Sequence, residues 1–172
     1  MKTLFLLRHA KSSWDSPGSG DHDRPLAPRG EKAAPLVGSY LRKHHAHIDL
    51  VLCSTAVRAV ETGRRVLSAM GAPTPPVEHE RGLYLCGAHT LLERVRDVPD
   101  SVTGLMVIAH NPDLYELTQE LVGEGEAALR HAVADKFPTG ACAVILFQTL
   151  HWRDLDLGAG RLVDFVQPRK LS

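Results

Sequence analysis

Arg8 and His9 stand side by side where an apolar run, Thr3 to Leu7, stops abruptly. A run of that length without polar alternation predicts a strand buried on both faces, as in a parallel sheet. A cation and an imidazole at the carboxyl end of such a strand sit where open α/β sheets bind ligands. Taken alone, the pair reads as a solvent-exposed strand end. The rest of the chain changes that reading.

Two other strands end in the same manner. Ile48 to Cys53 predicts a second strand. Ser54-Thr55 follows as an N-cap, and Ala56, Val60, Gly63, Leu67 and Met70 give helical spacing that Gly71 closes. Arg58 falls in the first turn of that helix, where a cation is electrostatically disfavoured, a hint that it reaches toward an anion. Gly104 to Ala109 is a third buried run and ends in His110-Asn111-Pro112-Asp113. Asn at the N-cap, Pro at N1 and Asp at N2 predict a helix start whose free N–H groups bind anions readily. Right-handed crossovers bring parallel strands to one edge of a sheet, so Arg8, His9, Arg58 and His110 converge. Two arginines and two imidazoles without a metal-ligand carboxylate fit a phosphoryl group, whose oxygens accept the guanidinium fork.

The elements around these positions follow in order. Asp15 to Pro28 is a loop, and its Asp21-His22-Asp23-Arg24-Pro25-Leu26 stretch is read either as functional or as a solvated loop held by Asp–Arg pairing. Residues 29–43 predict a helix with Leu36/Tyr40 and Val37/Leu41 on one stripe, which Pro35 either kinks or starts. His44-His45-Ala46-His47 is read as lacking the acidic or thiol partner of a metal site and is taken as an exposed helix end. Val77 suggests a short edge strand, Gly82 to Gly87 is irregular with Leu83 and Tyr84 inward, and Leu91, Leu92, Val95 and Val98 mark another amphipathic helix. Gly123 to Pro138 reads as loop with a short helix through Glu126–Val133, and Ala141 to Leu146 as a fourth strand. Trp152 to Leu157 and Arg161 to Val166, joined by Gly158-Ala159-Gly160, predict a hairpin. The glycines there mark a turn, because no helix follows them as a dinucleotide site requires. The expected architecture is one three-layer α/β domain over residues 1–172, with a mostly parallel sheet, helices on both faces and a C-terminal hairpin.

Twenty Lys and Arg balance twenty Asp and Glu. No global field therefore recruits nucleic acid or an anionic membrane, and neither is expected as a partner. Cys53, Cys86 and Cys142 are odd in number and far apart, against a disulfide framework or a zinc knuckle. The first residues are too short an apolar stretch for a signal peptide, and no cleavage site follows. The expected location is cytoplasmic.

Three segments together resemble the ordered motifs of the histidine phosphatase superfamily. They are Leu6-Leu7-Arg8-His9-Ala10, Ser54-Thr55-Ala56-Val57-Arg58-Ala59-Val60-Glu61-Thr62 and Ala109-His110-Asn111-Pro112. Arg-His-Ala-Lys-Ser-Ser-Trp and Asp-His-Asp-Arg-Pro-Leu-x-x-Arg-Gly further resemble the SixA-type phosphohistidine phosphatases. The resemblance implies that His9 is the nucleophile that becomes phosphorylated. It implies that Arg8, Arg58 and His110 clamp the phosphoryl oxygens, that Arg24 joins them from the loop, and that no metal or organic cofactor takes part. Adjacent arginines disfavour imidazolium and so keep His9 neutral for attack. The sequence departs from the wider pattern at Ala10 and Glu61, where glycine and glutamine are common. It also departs at Leu85-Cys86, in the region where many relatives carry a glutamate acid. Without that acid, the favoured function is hydrolysis of phosphohistidine in proteins. The alternatives are a small-molecule phosphomonoesterase using Glu80 or Asp21 as acid, and a catalytically weak phosphate- or phosphoprotein-binding module.

Overall fold

The computed structural model describes residues 1–15, 20–45 and 47–171. Part of the loop expected over 15–28, and Ala46 of the histidine cluster, lie outside them. Seven strands form one sheet: β1 (Lys2–Arg8), β2 (Leu50–Ser54), β3 (Val77–Glu80), β4 (Gly104–Ala109), β5 (Val122–Gly125), β6 (Cys142–Phe147) and β7 (Gly160–Val166). Their order is β3-β2-β4-β1-β6-β7-β5, and every neighbour pair is parallel except the two that β6 makes. The central strands are the continuous apolar runs of the sequence, as burial on both faces demands.

Alternate residues of β1 feed two cores: Leu4 and Leu6 face one side, Phe5 and Leu7 the other. The second side is covered by α1 (Pro28–His44) and α2 (Val57–Met70). The first side is covered by α3 (Ala88–Arg96), α4 (Asp113–Leu121) and α5 (Ala127–Asp135). Pro35 lies inside α1 and does not mark its start.

Three expectations are corrected. Residues 152–157 form no strand: Trp152–Asp154 is a 3-10 turn that buries Trp152 completely, and the antiparallel partner of β7 is β6. The stretch from Gly123 contains β5, which pairs in parallel with β7. The histidine cluster is more than an exposed end, because His45 Nε2 lies 2.8 Å from the Asp164 carboxylate. No helix among the described residues is long and apolar enough to cross a membrane.

Candidate active site

β2, β4 and β1 are adjacent and parallel, with Arg8 paired to Ala109 and Cys53 to Ile108. Their carboxyl ends are therefore level, and the chain places a candidate side chain at or just after each. Arg8 ends β1 and His9 follows it, His110 follows β4, and Arg58 occupies the first turn of α2 after β2. His9, Arg58 and His110 are buried, and Arg8 is partly buried. The His9 and His110 rings lie 5.3 Å apart between centroids. With Arg24 and Asp21 from the loop, these residues line one pocket of about 380 Å³. Gly140 seats the turn that carries Arg8 and His9. Its N–H is shared by both their carbonyls, at a φ of 77° and with Pro168 2.9 Å from where a Cβ would stand.

The protonation of His9 follows from its partner. Nδ1 lies 2.8 Å from the Ala10 carbonyl oxygen, which only accepts, so Nδ1 carries the hydrogen and Nε2 the free lone pair. Burial above all pushes its pKa down to about 3, and His110, Arg58 and Arg8 add to the effect against the opposing pull of the Ala10 carbonyl. Thr62 of α2 fixes the same peptide: its hydroxyl accepts the Ala10 N–H at 2.9 Å and donates to the Arg58 carbonyl.

His110 is neutral for similar reasons, its pKa pushed down to about 4 chiefly by burial and then by Arg58. Ser54 sets its tautomer. The Ser54 hydroxyl oxygen accepts the Ala56 N–H and lies 2.8 Å from His110 Nε2. Donation from the hydroxyl to Nε2 leaves a single unpaired group, the Nδ1–H; the reverse tautomer leaves two. Three buried donors on residues that line this pocket thus have no acceptor among the described residues: Arg8 Nε, Arg58 Nε and His110 Nδ1.

Other donors of the two arginines are held. One Arg8 terminal nitrogen donates to the Phe137 carbonyl, and both terminal nitrogens of Arg58 donate to Asp21, at 2.6 Å to its carbonyl and 2.9 Å to its carboxylate. Asp21 also accepts from Arg24 Nε and from the Tyr84 hydroxyl. These bonds, Tyr84's first, lower its pKa to about 2. Arg24 does reach the pocket, its NH1 donating to Ser12 and its guanidinium stacked 3.5 Å over the Trp14 ring.

Both acids considered from the sequence are corrected by these contacts. Asp21 is ionised at neutral pH and has no proton to give. Glu80 makes two 2.8 Å bonds to Arg94 and does not line the pocket. Leu85 occupies the pocket wall instead, half exposed and with φ of 51°. Asp113 is buried in the first turn of α4 but also lies outside the pocket lining.

Two helix starts differ from expectation. Neither Ser54 nor Thr55 caps α2, whose N-cap is Ala56, because Ser54 turns to His110 and Thr55 to His22. α4 begins at Asp113 with Pro112 before it, and Asn111 caps from one residue earlier by accepting the Tyr115 N–H. Sequence reasoning missed Ser54, Thr62, Tyr84 and Asn111 as parts of the site. Ser54, Thr62 and Asn111 carried a signal, as polar residues inside the quoted motifs; Tyr84 carried none.

Comparison with known proteins agrees with this geometry. The sequence profile of the histidine phosphatase superfamily (branch 1) matches residues 4–84. An uncharacterised protein of Mycobacterium tuberculosis is 41% identical over 165 residues, covering 95% of this chain and all of that protein. Among solved structures, a protein assigned as phosphohistidine phosphatase SixA from Nakamurella multipartitia superposes with a TM-score of 0.81 at 31% identity, covering 97% of this chain and 96% of that one. Its counterpart from Agrobacterium tumefaciens gives 0.81 at 28% identity, covering 97% and 98%. With the three motif segments brought to one sheet edge and this likeness running the length of the chain, the protein belongs to the histidine phosphatase superfamily, among the SixA-type proteins.

Proposed function

We propose that this protein is a phosphatase that works without a metal through a phosphohistidine on His9, and that its substrate is phosphohistidine in proteins. The observation that carries the reading is the meeting, in one pocket, of a neutral His9 with three buried donors that lack an acceptor. A phosphoryl group supplies three acceptor oxygens to such donors.

In the first step His9 Nε2 attacks phosphorus while the bond from phosphorus to the substrate imidazole breaks. Arg8, Arg58 and the His110 Nδ1–H donate to the oxygens that gather charge. The departing ring, protonated on its other nitrogen, leaves as neutral imidazole, so the transfer exchanges one imidazole for another. It needs no acid. In the second step water attacks the phosphorus, the bond from phosphorus to Nε2 breaks, dihydrogen phosphate leaves, and His9 is restored with its Nδ1–H on the Ala10 carbonyl.

The pocket lining supports the substrate class as well. Among the described residues its single carboxylate is Asp21, which holds no proton at neutral pH, so no carboxylic acid is there to protonate an alkoxide leaving group. The test is a panel of phosphohistidine proteins, aryl phosphates and alkyl phosphates, run with rapid-quench mapping of the labelled enzyme. Label on His9 with phosphohistidine and aryl phosphates preferred is expected. Label on His110, or alkyl phosphates turned over as fast as aryl ones, overturns the reading.

A further inference from the structure

Beside the His9 pocket, and sharing Lys11 and Thr139 with it, lies a trough of about 330 Å³. Five cations line it: Lys11 after β1, Arg29 and Lys32 on α1, Lys136 after α5, and Arg169 near the C-terminus. No carboxylate lines it, and none of the five makes a side-chain hydrogen bond or ion pair with the described residues. All five are exposed. In a chain whose charges cancel, twenty against twenty, this is a deliberate segregation of one sign into a concavity.

The phosphoryl group does not need these cations. Arg8 and Arg58 line the His9 pocket and carry unpaired donors of their own, and neither lines the trough. An anion held in the trough while phosphorus meets His9 therefore belongs to another part of the same ligand. Size and surroundings favour a protein. Trp14 (75% exposed) and Leu85 (50%) stand in the lining of the His9 pocket, and Leu36 (38%) in that of the trough. A small polyanion would leave this apolar rim in water, whereas a protein partner would cover it.

We propose that the trough is a second anion subsite that receives an acidic segment flanking the phosphorylated residue of a protein substrate. The word substrate rests on the phosphatase reading above; the binding itself does not. Carboxylates of the partner meet Lys11, Arg29, Lys32, Lys136 and Arg169, while the phosphoryl group sits on Arg8, Arg58 and His110. Because the five cations are exposed, the subsite sets encounter and affinity in a salt-dependent manner and leaves the chemical step alone.

The experiment uses two fluorescein-labelled, unphosphorylated histidine peptides, one with four glutamates beside the histidine and its twin with four glutamines. Their binding to the full chain is measured by anisotropy at low and high salt, and again for the triple variant Arg29→Glu, Lys32→Glu, Lys136→Glu. The glutamate peptide is expected to bind about tenfold tighter at low salt, the combined yield of a few exposed ion pairs. That advantage disappears at high salt and in the triple variant, which retains aryl phosphate turnover and so is folded. Equal binding of the twins, or a preference that survives the triple variant, overturns the subsite. Tight capture of inorganic tripolyphosphate, with no preference between the peptides, does so too and assigns the trough to small polyanions. The phosphorylated forms of the same peptides are then assayed for turnover. If neither is hydrolysed, the phosphohistidine reading falls while the binding result stands on its own.

Discussion

The neutral state of His9 has a measurable cost in acid. Below the ordinary histidine value of 6.5 the unfolded chain takes up a proton on this ring, and the folded chain refuses it until about 3. The folded pKa is the depressed one, so the stability it contributes is whole above 6.5 and is lost progressively as pH falls toward 3. At pH 5 the unfolded ring is almost fully protonated and the folded ring is not, which amounts to about 2 kcal/mol from this residue alone. At pH 7 the same linkage is worth roughly a tenth of that. Urea unfolding of the wild type and of His9→Asn at both pH values isolates the effect, because any packing cost of the asparagine is common to both. The wild type should lose about 2 kcal/mol more than the variant between pH 7 and pH 5. Equal losses would mean that His9 titrates normally in the fold, and the account of a nucleophile kept neutral by burial and its cationic neighbours would be wrong.

Other expectations follow from single contacts. Ser54→Ala removes the donor that holds His110 in its Nδ1–H tautomer, and kcat/KM for an aryl phosphate should drop roughly tenfold, the worth of one hydrogen bond; an unchanged value would detach Ser54 from the chemistry. Asp21→Asn should slow turnover by loosening Arg58 yet leave the dependence of rate on leaving-group pKa as it was; a steeper dependence would reinstate Asp21 as an acid. Arg58→Ala should weaken tungstate binding roughly a hundredfold, read by calorimetry, through loss of a charge-assisted bond. It should also lower the melting temperature, because this buried side chain anchors Asp21 and through it the loop.

The parts legible in sequence were those fixed by local pattern. β1, β2 and β4 are unbroken apolar runs, and a run that stops at Arg-His or Ala-His declares both a strand and what stands at its end. Parallel crossovers then supply convergence without further information. Illegible were contacts that join distant segments. Asp21 and Arg58 are 37 residues apart, Ser54 and His110 56, and nothing local distinguishes a capping serine from one that serves a histidine. β5 escaped notice because Val122–Gly125 has no apolar alternation. Its glycine serves proximity instead: a Cβ on Gly123 would stand 1.9 Å from the Gly158 carbonyl oxygen. The false strand at 152–157 had the apolar residues of a strand, but Trp152 and Leu155 plug the core from a 3-10 turn, with the indole N–H on the Val102 carbonyl.

Under the proposed function, the clamp and the missing carboxylic acid together would decide what this pocket can release. In the proposed reaction Arg8, Arg58 and His110 would stabilise charge on the phosphoryl oxygens of any phosphate that enters, and so would confer rate without choosing among leaving groups. Choice comes from the other side of the phosphorus. There the wall carries Leu85, the lone carboxylate of the lining is spent on two arginines and a tyrosine, and Glu80 is locked on Arg94. An alkoxide in that position needs a proton, and no protonated carboxyl stands among the described lining residues to give it. An imidazole needs none, since it arrives with its second nitrogen available for protonation by solvent. The proposed selectivity is therefore a property of what the wall lacks. It would yield to a single engineered carboxylic acid at position 85 more readily than to any change in the clamp.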